Sequence, residues 1–240
     1  MNYAMEHPIA IRAAESERAG FIRRTYAHLA GAVLAFVCLE WVLFSVLDAE
    51  QVMRTLFGST AALVVMLGAF IGIGFLARYW AHSDVSRGLQ YAGLALYVVF
   101  EAIIFMPILW IASTQFPGQH LIEQAGVLTL AVFGGLTVSV FITRKDYSHL
   151  GPILSMGMFI MLGVFIACIF FPPSQGFFGL VVPLIMIVLL SGYILYDTSN
   201  VIHHFRTDQH VAAALELFAD VALMFWYILR IMIYISGSRE

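Results

Sequence analysis

Long uncharged stretches alternate with short polar segments along most of the chain. No Asp, Glu, Lys or Arg occurs between positions 55 and 77, or between 147 and 196. An α-helix needs ~20 apolar residues to cross a membrane, so the second stretch is too long for one crossing. The consecutive prolines in Phe171-Pro-Pro-Ser-Gln-Gly176 stop a helix and divide it. The pattern predicts seven transmembrane helices, at about 26–47, 55–77, 88–112, 124–143, 150–170, 177–202 and 211–235.

The composition agrees with this pattern. Hydrophobic residues make up 61% of the chain and charged residues 11%, against about 45–50% and about 25% in soluble domains. We therefore predict an all-α polytopic membrane protein with a polar N-terminal arm over 1–24, a single seven-helix domain over 25–236 and a tail over 237–240. The lipid bilayer is its expected environment, and nothing in the chain resembles a nucleotide loop, a zinc motif or a nucleic-acid surface.

The last predicted span is the least lipid-like of the seven. It contains Glu216, Asp220 and Arg230, and charged side chains inside a membrane face the interior of a bundle. We expect this C-terminal helix to be central, surrounded by the others. A re-entrant last helix, which would return the C-terminus to the side of the N-terminus, remains an alternative.

The Lys and Arg residues predict the orientation, since they concentrate on the cytoplasmic side of membrane proteins. With the N-terminus in the cytoplasm, nine of the 12 fall on the inner side: Arg12, Arg18, Arg23, Arg24, Arg78, Arg87, Arg144, Lys145 and Arg206. The other three are Arg54, Arg230 and Arg239. We therefore expect a cytoplasmic N-terminus and an outer C-terminus.

Asp197 and Asp220 are the leading candidate site. They flank a polar link and are equally distant from its midpoint, so in an antiparallel helix pair they face each other at one depth. Two close carboxylates in a low dielectric resist simultaneous ionisation and titrate as a unit. Their hard oxygens also suit Ca²⁺. The alternative is that each aspartate bonds a neighbouring hydroxyl, such as that of Thr198 or of a tyrosine.

Other buried charges allow two interpretations each. Glu101, inside the third span, is either a neutral hydrogen-bonded carboxyl or part of an ion pathway. Arg78 either pairs with the aspartates or extends to lipid headgroups. Arg230 lies where Glu40 or Glu101 would neutralise it.

Two further chemistries are considered and set aside. The histidines of the polar link (His203, His204 and His210, with Asp208) would permit a metal site, but a solvated loop is favoured. An intramembrane aspartyl protease also uses two aspartates, yet it requires Gly-x-Gly-Asp where this chain has Leu217-Phe-Ala-Asp220. We predict that the protein is not an enzyme.

Four motifs resemble the Bax inhibitor-1 family, and the resemblance extends from about Phe21 to Tyr234. They are Gly20-Phe-Ile-Arg-Arg-Thr-Tyr-Ala-His-Leu29, Tyr97-Val-Val-Phe-Glu101, Thr143-Arg-Lys-Asp-Tyr-Ser-His-Leu-Gly151 and Tyr193-Ile-Leu-Tyr-Asp-Thr-Ser-Asn-Val-Ile-His203. The resemblance implies a seven-helix fold with the last helix central, and a pH-sensitive Ca²⁺ leak. It also implies that Asp197 and Asp220 form the proton sensor and gate.

The same resemblance assigns roles to two more residues. Arg78 matches, more loosely, an arginine that latches onto the acidic pair in the closed state. Bacterial relatives place an acid on the second helix in the ion pathway; this chain has none there, and Glu101 is the candidate replacement. Ca²⁺ is then the permeant or transiently bound ion at Asp197 and Asp220, and no other cofactor is expected.

The short N-terminal arm is similar to that of bacterial family members, which places the protein in the bacterial inner membrane. Some bacterial members are associated with a membrane-anchored ATP-dependent protease. The alternative function is therefore a membrane-embedded regulator that binds such a protease or another membrane protein.

Overall fold

The computed structural model describes residues 8–83, 86–172, 174 and 176–238. Its helices are α1 (Glu15–Val46), α2 (Ala49–Phe57), α3 (Thr60–Ala81), α4 (Arg87–Gln115), α5 (Leu121–Thr143), α6 (Gly151–Phe170), α7 (Val182–His203) and α8 (His210–Gly237). Short 3₁₀ turns occupy Ala10–Arg12 and Ser148–Leu150, and a π-helical turn, Phe177–Val181, opens α7. All of these helices except α2 are long and apolar enough to cross a membrane, which confirms the prediction of an all-α protein with seven spans.

The structure corrects three boundaries. The segment from 48 to 54, predicted as a loop, is largely the short helix α2, because Asp48 caps it by accepting from the backbone N–H groups of Glu50 (2.9 Å) and Gln51 (3.3 Å). Helix α1 begins at Glu15, within the predicted polar arm. The predicted loop from 113 to 123 is shorter, since α4 continues to Gln115 and α5 begins at Leu121.

Helix α8 is central, as its polarity predicts. It packs against α1, α3, α4, α5 and α7. Of its most apolar 18 residues 78% are buried, against 11% for α3 and for the segment that ends in α6. The outer helices instead expose large apolar side chains, among them Trp41, Phe75 and Phe159. Such a surface suits contact with lipid rather than water.

Helices α3 and α4 approach each other closely at Gly93. A Cβ atom at this position would lie 2.5 Å from the carbonyl oxygen of Ala77 and 2.7 Å from the backbone nitrogen of Ala81. Glycine therefore allows α4 to pack directly against the last turns of α3, where Arg78 lies.

The N-terminal segment pairs with the loop between α7 and α8. Ile9 and Arg206 form an antiparallel bridge. The backbone nitrogen of Ala10 donates to the carbonyl oxygen of Phe205 (2.8 Å), and that of Thr207 donates to the carbonyl oxygen of Pro8 (3.1 Å). Ala10 is fully buried by this contact. Both segments must therefore lie on the same side of the membrane, which agrees with the six spans that separate them.

Candidate functional site

An acidic cavity of about 470 Å³ lies beside the central helix, between α3, α6, α7 and α8. Its lining residues are Arg78, His82, Met158, Leu190, Tyr193, Tyr196, Asp197, Asn200, Phe205, Glu216, Ala219, Asp220 and Leu223. The contributions of α7 and α8 recur every three or four positions, so each helix presents one face to the cavity. The cavity is large enough to hold several water molecules.

The structure brings Asp197 and Asp220 together in this cavity. Both line the cavity, one on α7 and one on α8, and their carboxylates are close enough to interact electrostatically. Asn200 also donates its side-chain amide to Asp197 (3.4 Å). Oδ2 of Asp220 is buried and accepts no hydrogen bond from the described residues. Thr198 faces the Tyr26 hydroxyl instead of the aspartates, so it does not serve as their partner.

Arg78 lies in the same cavity, but its ion pair is with Glu216. Its Nε donates to Oε2 of Glu216 over 2.8 Å. Its guanidinium also lies 5.4 Å from the ring centroid of Tyr97. With all groups ionised, the cavity walls hold three carboxylates and one guanidinium, and this negative excess favours a cation.

Glu216 is the site residue that the sequence reasoning missed. Its spacing of four residues from Asp220 places both carboxylates on one face of α8, and this signal was available in the sequence.

Glu101 lies outside the cavity wall, deep in α4 and only 1% exposed. Tyr97, one turn earlier, lies between it and Arg78. The Tyr97 hydroxyl is beside the carboxylate but outside hydrogen-bonding geometry, and neither oxygen of Glu101 is hydrogen-bonded within the described chain.

Arg230 does not pair with Glu40 or Glu101, so that expectation is wrong. Its guanidinium lies 4.1 Å from the ring centroid of Phe178, in the π-helical turn before α7. The face of an aromatic ring attracts a cation, which explains how the charge is accommodated. Glu40 is buried on α1, and its carboxylate has no hydrogen-bond partner among the residues that the structure describes.

The histidines of the polar link are not a solvated cluster. His203 is 9% exposed and His210 5% exposed. His204 instead contacts Asp146, with Nε2 lying 3.2 Å from Oδ2. No group of three or more His, Cys, Asp or Glu side chains with the arrangement of a metal site occurs in the described part of the chain.

Asp146 lies outside the spanning helices, in the loop between α5 and α6. The backbone N–H of Ser148 donates to its Oδ1 (2.9 Å). That bond, with the contact to His204, lowers the pKa of Asp146 to about 2. Asp146 is therefore ionised at neutral and mildly acidic pH.

Six spanning helices around a seventh, polar central helix, with opposed aspartates in a cavity beside it, define an integral membrane protein. A family described as "Inhibitor of apoptosis-promoting Bax1" matches residues 18–238. The chain belongs to this family, the Bax inhibitor-1 family.

Relatives occur in plants, animals and bacteria. The chain is 33% identical over 226 residues to "BI1-like protein" of Arabidopsis thaliana, which covers 90% of this chain and 80% of the relative. It is 28% identical over 216 residues to "Protein lifeguard 4" of Mus musculus, covering 90% and 85%. It is 26% identical over 195 residues to "Uncharacterized protein Cj0236c" of Campylobacter jejuni, covering 72% and 83%.

Proposed function

We propose that the protein is a pH-sensitive Ca²⁺ leak channel, gated by protonation of the Asp197–Asp220 pair. The observation that supports this proposal is the acidic cavity, in which three carboxylates surround a space of about 470 Å³ beside the central helix. Ionisable groups at such depth are costly and are retained where they serve a function. The protein is a binding and conducting protein in this proposal, not an enzyme.

The charge of the cavity favours a divalent cation. Glu216 is balanced by Arg78 at 2.8 Å, so Asp197 and Asp220 supply the unbalanced negative charge. Ca²⁺ takes six to eight oxygen ligands in flexible arrangements, and carboxylates with water complete such a shell. Binding by only two or three protein carboxylates is weak, as a conducting site requires.

The aspartate pair supplies the gate. A hydrogen bond between two carboxyl groups requires a proton on one of them. With that proton, the pair joins α7 to α8; without it, two like charges repel across the same gap. Proton uptake therefore changes both the affinity for a cation and the contact between the two helices.

Arg78 acts as the latch in this scheme, and Glu101 extends the path. Arg78 lies against Glu216, one helical turn from Asp220, so a small movement brings it to the ionised pair. Glu101 lies behind Tyr97, deeper in the bundle, where it offers a further carboxylate to an ion that leaves the cavity. We place the protein in the bacterial inner membrane with the N-terminus and the acidic cavity toward the cytoplasm.

Ca²⁺ flux into liposomes containing the purified protein tests the proposal. The wild-type protein is compared at pH 8 and pH 6 with the Asp197→Asn/Asp220→Asn double variant. We expect the wild-type rate to change several-fold between the two pH values, and the rate of the double variant to be the same at both. Asp146→Asn is the matched control, because it makes the same chemical change outside the cavity.

Two results would contradict the leak channel. One is a pH response that survives unchanged in the double variant. The other is an absence of flux at any pH in protein shown to be folded and inserted, which would favour the alternative of a regulator that binds a membrane-anchored ATP-dependent protease or another membrane protein.

A further inference from the structure

A second cavity adjoins the acidic one, on the side of the loop between α7 and α8. It has a volume of about 360 Å³ and is lined by His82, Ser148, Tyr196, Asn200, His204, Phe205 and Gln209. We call it the vestibule. Because Ser148, His204 and Gln209 lie in or beside loops, the vestibule is the side of the acidic cavity nearest to water.

Four residues line both cavities and mark the boundary where the two adjoin, which we call the wall: His82, Tyr196, Asn200 and Phe205. Tyr196 and Asn200 belong to α7, and His82 caps the end of α3. Phe205 is the one member of this wall that lies in the loop after α7. Its ring is stacked on that of His82, with centroids 6.0 Å apart and planes inclined by 30°.

The backbone of Phe205 is held from two directions. Its nitrogen donates to the carbonyl oxygen of Asn200 (2.9 Å), which ties it to the end of α7. Its carbonyl oxygen accepts from the backbone nitrogen of Ala10 (2.8 Å), which ties it to the N-terminal segment. The first bond is local to the helix end, whereas the second depends on a distant part of the chain.

Thr207 strengthens the hold of the N-terminal part of the chain on this loop. Its hydroxyl donates to Oε1 of Glu17 (2.6 Å), and its carbonyl oxygen accepts from Arg24 (3.4 Å). The N-terminal segment and the start of α1 thus bond to the loop on both sides of Arg206.

We propose that Phe205 is the gate between the vestibule and the acidic cavity, and that the N-terminal segment holds this gate closed. Movement of one loop side chain then connects the acidic cavity to water, while the transmembrane helices remain packed. The use of this gate by ions rests on the proposed function; the connection of the two cavities does not.

Thiol accessibility tests the gate without any ion flux. Cys38 and Cys168 are the two cysteines of the chain. They are replaced by alanine in the full chain, and Ala219→Cys introduces a thiol in the wall of the acidic cavity. The rate of its modification by a cationic, water-soluble methanethiosulfonate reagent is measured in proteoliposomes. Ser148→Cys, in the vestibule, is the reference for open access.

With Phe205 intact, we expect slow labelling at 219 and fast labelling at 148. Phe205→Ala should raise the rate at 219 at least about tenfold and leave the rate at 148 unchanged. Phe205→Leu, which keeps a large apolar side chain, should remain slow. Phe171→Ala is the matched control, because it removes a phenyl ring that is 78% exposed and lines neither cavity.

Ala10→Pro tests the role of the N-terminal segment while leaving the Phe205 ring in place. Proline removes the backbone donor to Phe205, and the extended conformation of Ile9 (φ −63°, ψ 145°) is compatible with a following proline. We expect faster labelling at 219. Unchanged rates in both Phe205→Ala and Ala10→Pro, or labelling at 219 already as fast as at 148 with Phe205 intact, would overturn the gate.

Parallel Ca²⁺ flux measurements separate the two proposals. Faster labelling without Ca²⁺ flux would support the gate and contradict the leak channel. Flux that responds to pH, with labelling unaffected by Phe205→Ala, would support the channel and contradict the gate.

Discussion

Nε of Arg78 donates to Oε2 of Glu216 over 2.8 Å, although two other carboxylates line the same cavity. Arg78 thereby neutralises Glu216 and leaves Asp197 and Asp220 to each other. In the proposed channel this division of charge leaves the aspartate pair to respond to protons, because no Lys or Arg of the described residues forms an ion pair with it.

The Arg78–Glu216 pair should couple measurably in a double-mutant cycle of Arg78→Gln and Glu216→Gln. The two side chains are 41% and 19% exposed, so we expect about 1–2 kcal/mol in unfolding free energy, less than a fully buried pair would give. Unfolding is followed in detergent. The exposed pair Arg54–Glu50, at 76% and 48%, is the control and should give about 0.3–0.5 kcal/mol. Equal coupling energies in the two cycles would contradict the stronger, partly buried ion pair between Arg78 and Glu216.

Gly93→Ala should separate α3 from α4. The added Cβ would lie 2.5 Å from the carbonyl oxygen of Ala77, and that backbone atom cannot move aside cheaply. We expect a loss of about 1–3 kcal/mol, read as a lower melting temperature. Gly88→Ala, on the same helix, meets nothing within 4 Å and should be neutral or slightly stabilising. A Gly93→Ala variant as stable as the wild type would show that the helices do not approach this closely.

The charge of Asp146 should stabilise its loop at all but very low pH. Its folded pKa of about 2 is below the ordinary value of 3.8, so the stabilisation is fully present above about pH 4 and is lost as the pH falls through 2. The difference in melting temperature between wild type and Asp146→Asn should accordingly shrink below about pH 4, relative to its value at about pH 5. A difference that stays the same from about pH 5 to about pH 2 would show that the Asp146 charge does not stabilise the loop.

Glu101→Gln should lower Ca²⁺ flux while preserving its pH response. Glu101 is buried and does not line the cavity that holds the aspartate pair, so in the proposed channel it contributes charge to the path and not to the gate. The comparison is the flux ratio between pH 8 and pH 6, with Glu123→Gln at the exposed start of α5 as control. Loss of the pH response in Glu101→Gln alone would show that the Asp197–Asp220 pair is not the pH sensor.

The spanning helices and the central position of α8 were predictable because both follow from local composition. A run without charge predicts a span, and the charges of the last span predict its burial. The partner of Arg78 was not predictable in the same way, since it depends on the distance between α3 and α8. The spacing of Glu216 and Asp220 places both on one face of α8. The sequence therefore indicates two possible partners for Arg78 but does not decide between them.

The short helix α2 and the paired N-terminal segment escaped prediction for different reasons. Asp48, followed three positions later by Gln51, has the pattern of a helix start, so the signal for α2 was present but the segment was short. The pairing of Ile9 with Arg206 has no local signal at all. It arises from backbone hydrogen bonds between two segments that are brought together only by the complete bundle.

That pairing has a consequence for biosynthesis. Thr207 follows its hydrogen-bond partner Glu17 by 190 positions, so the start of α1 must wait for the loop after α7 to be synthesised. The contact forms only when every intervening span has been inserted with the correct sidedness. A chain that skips one crossing would present the two segments to opposite compartments and leave both unpaired, so this contact distinguishes a correctly inserted chain from a misinserted one.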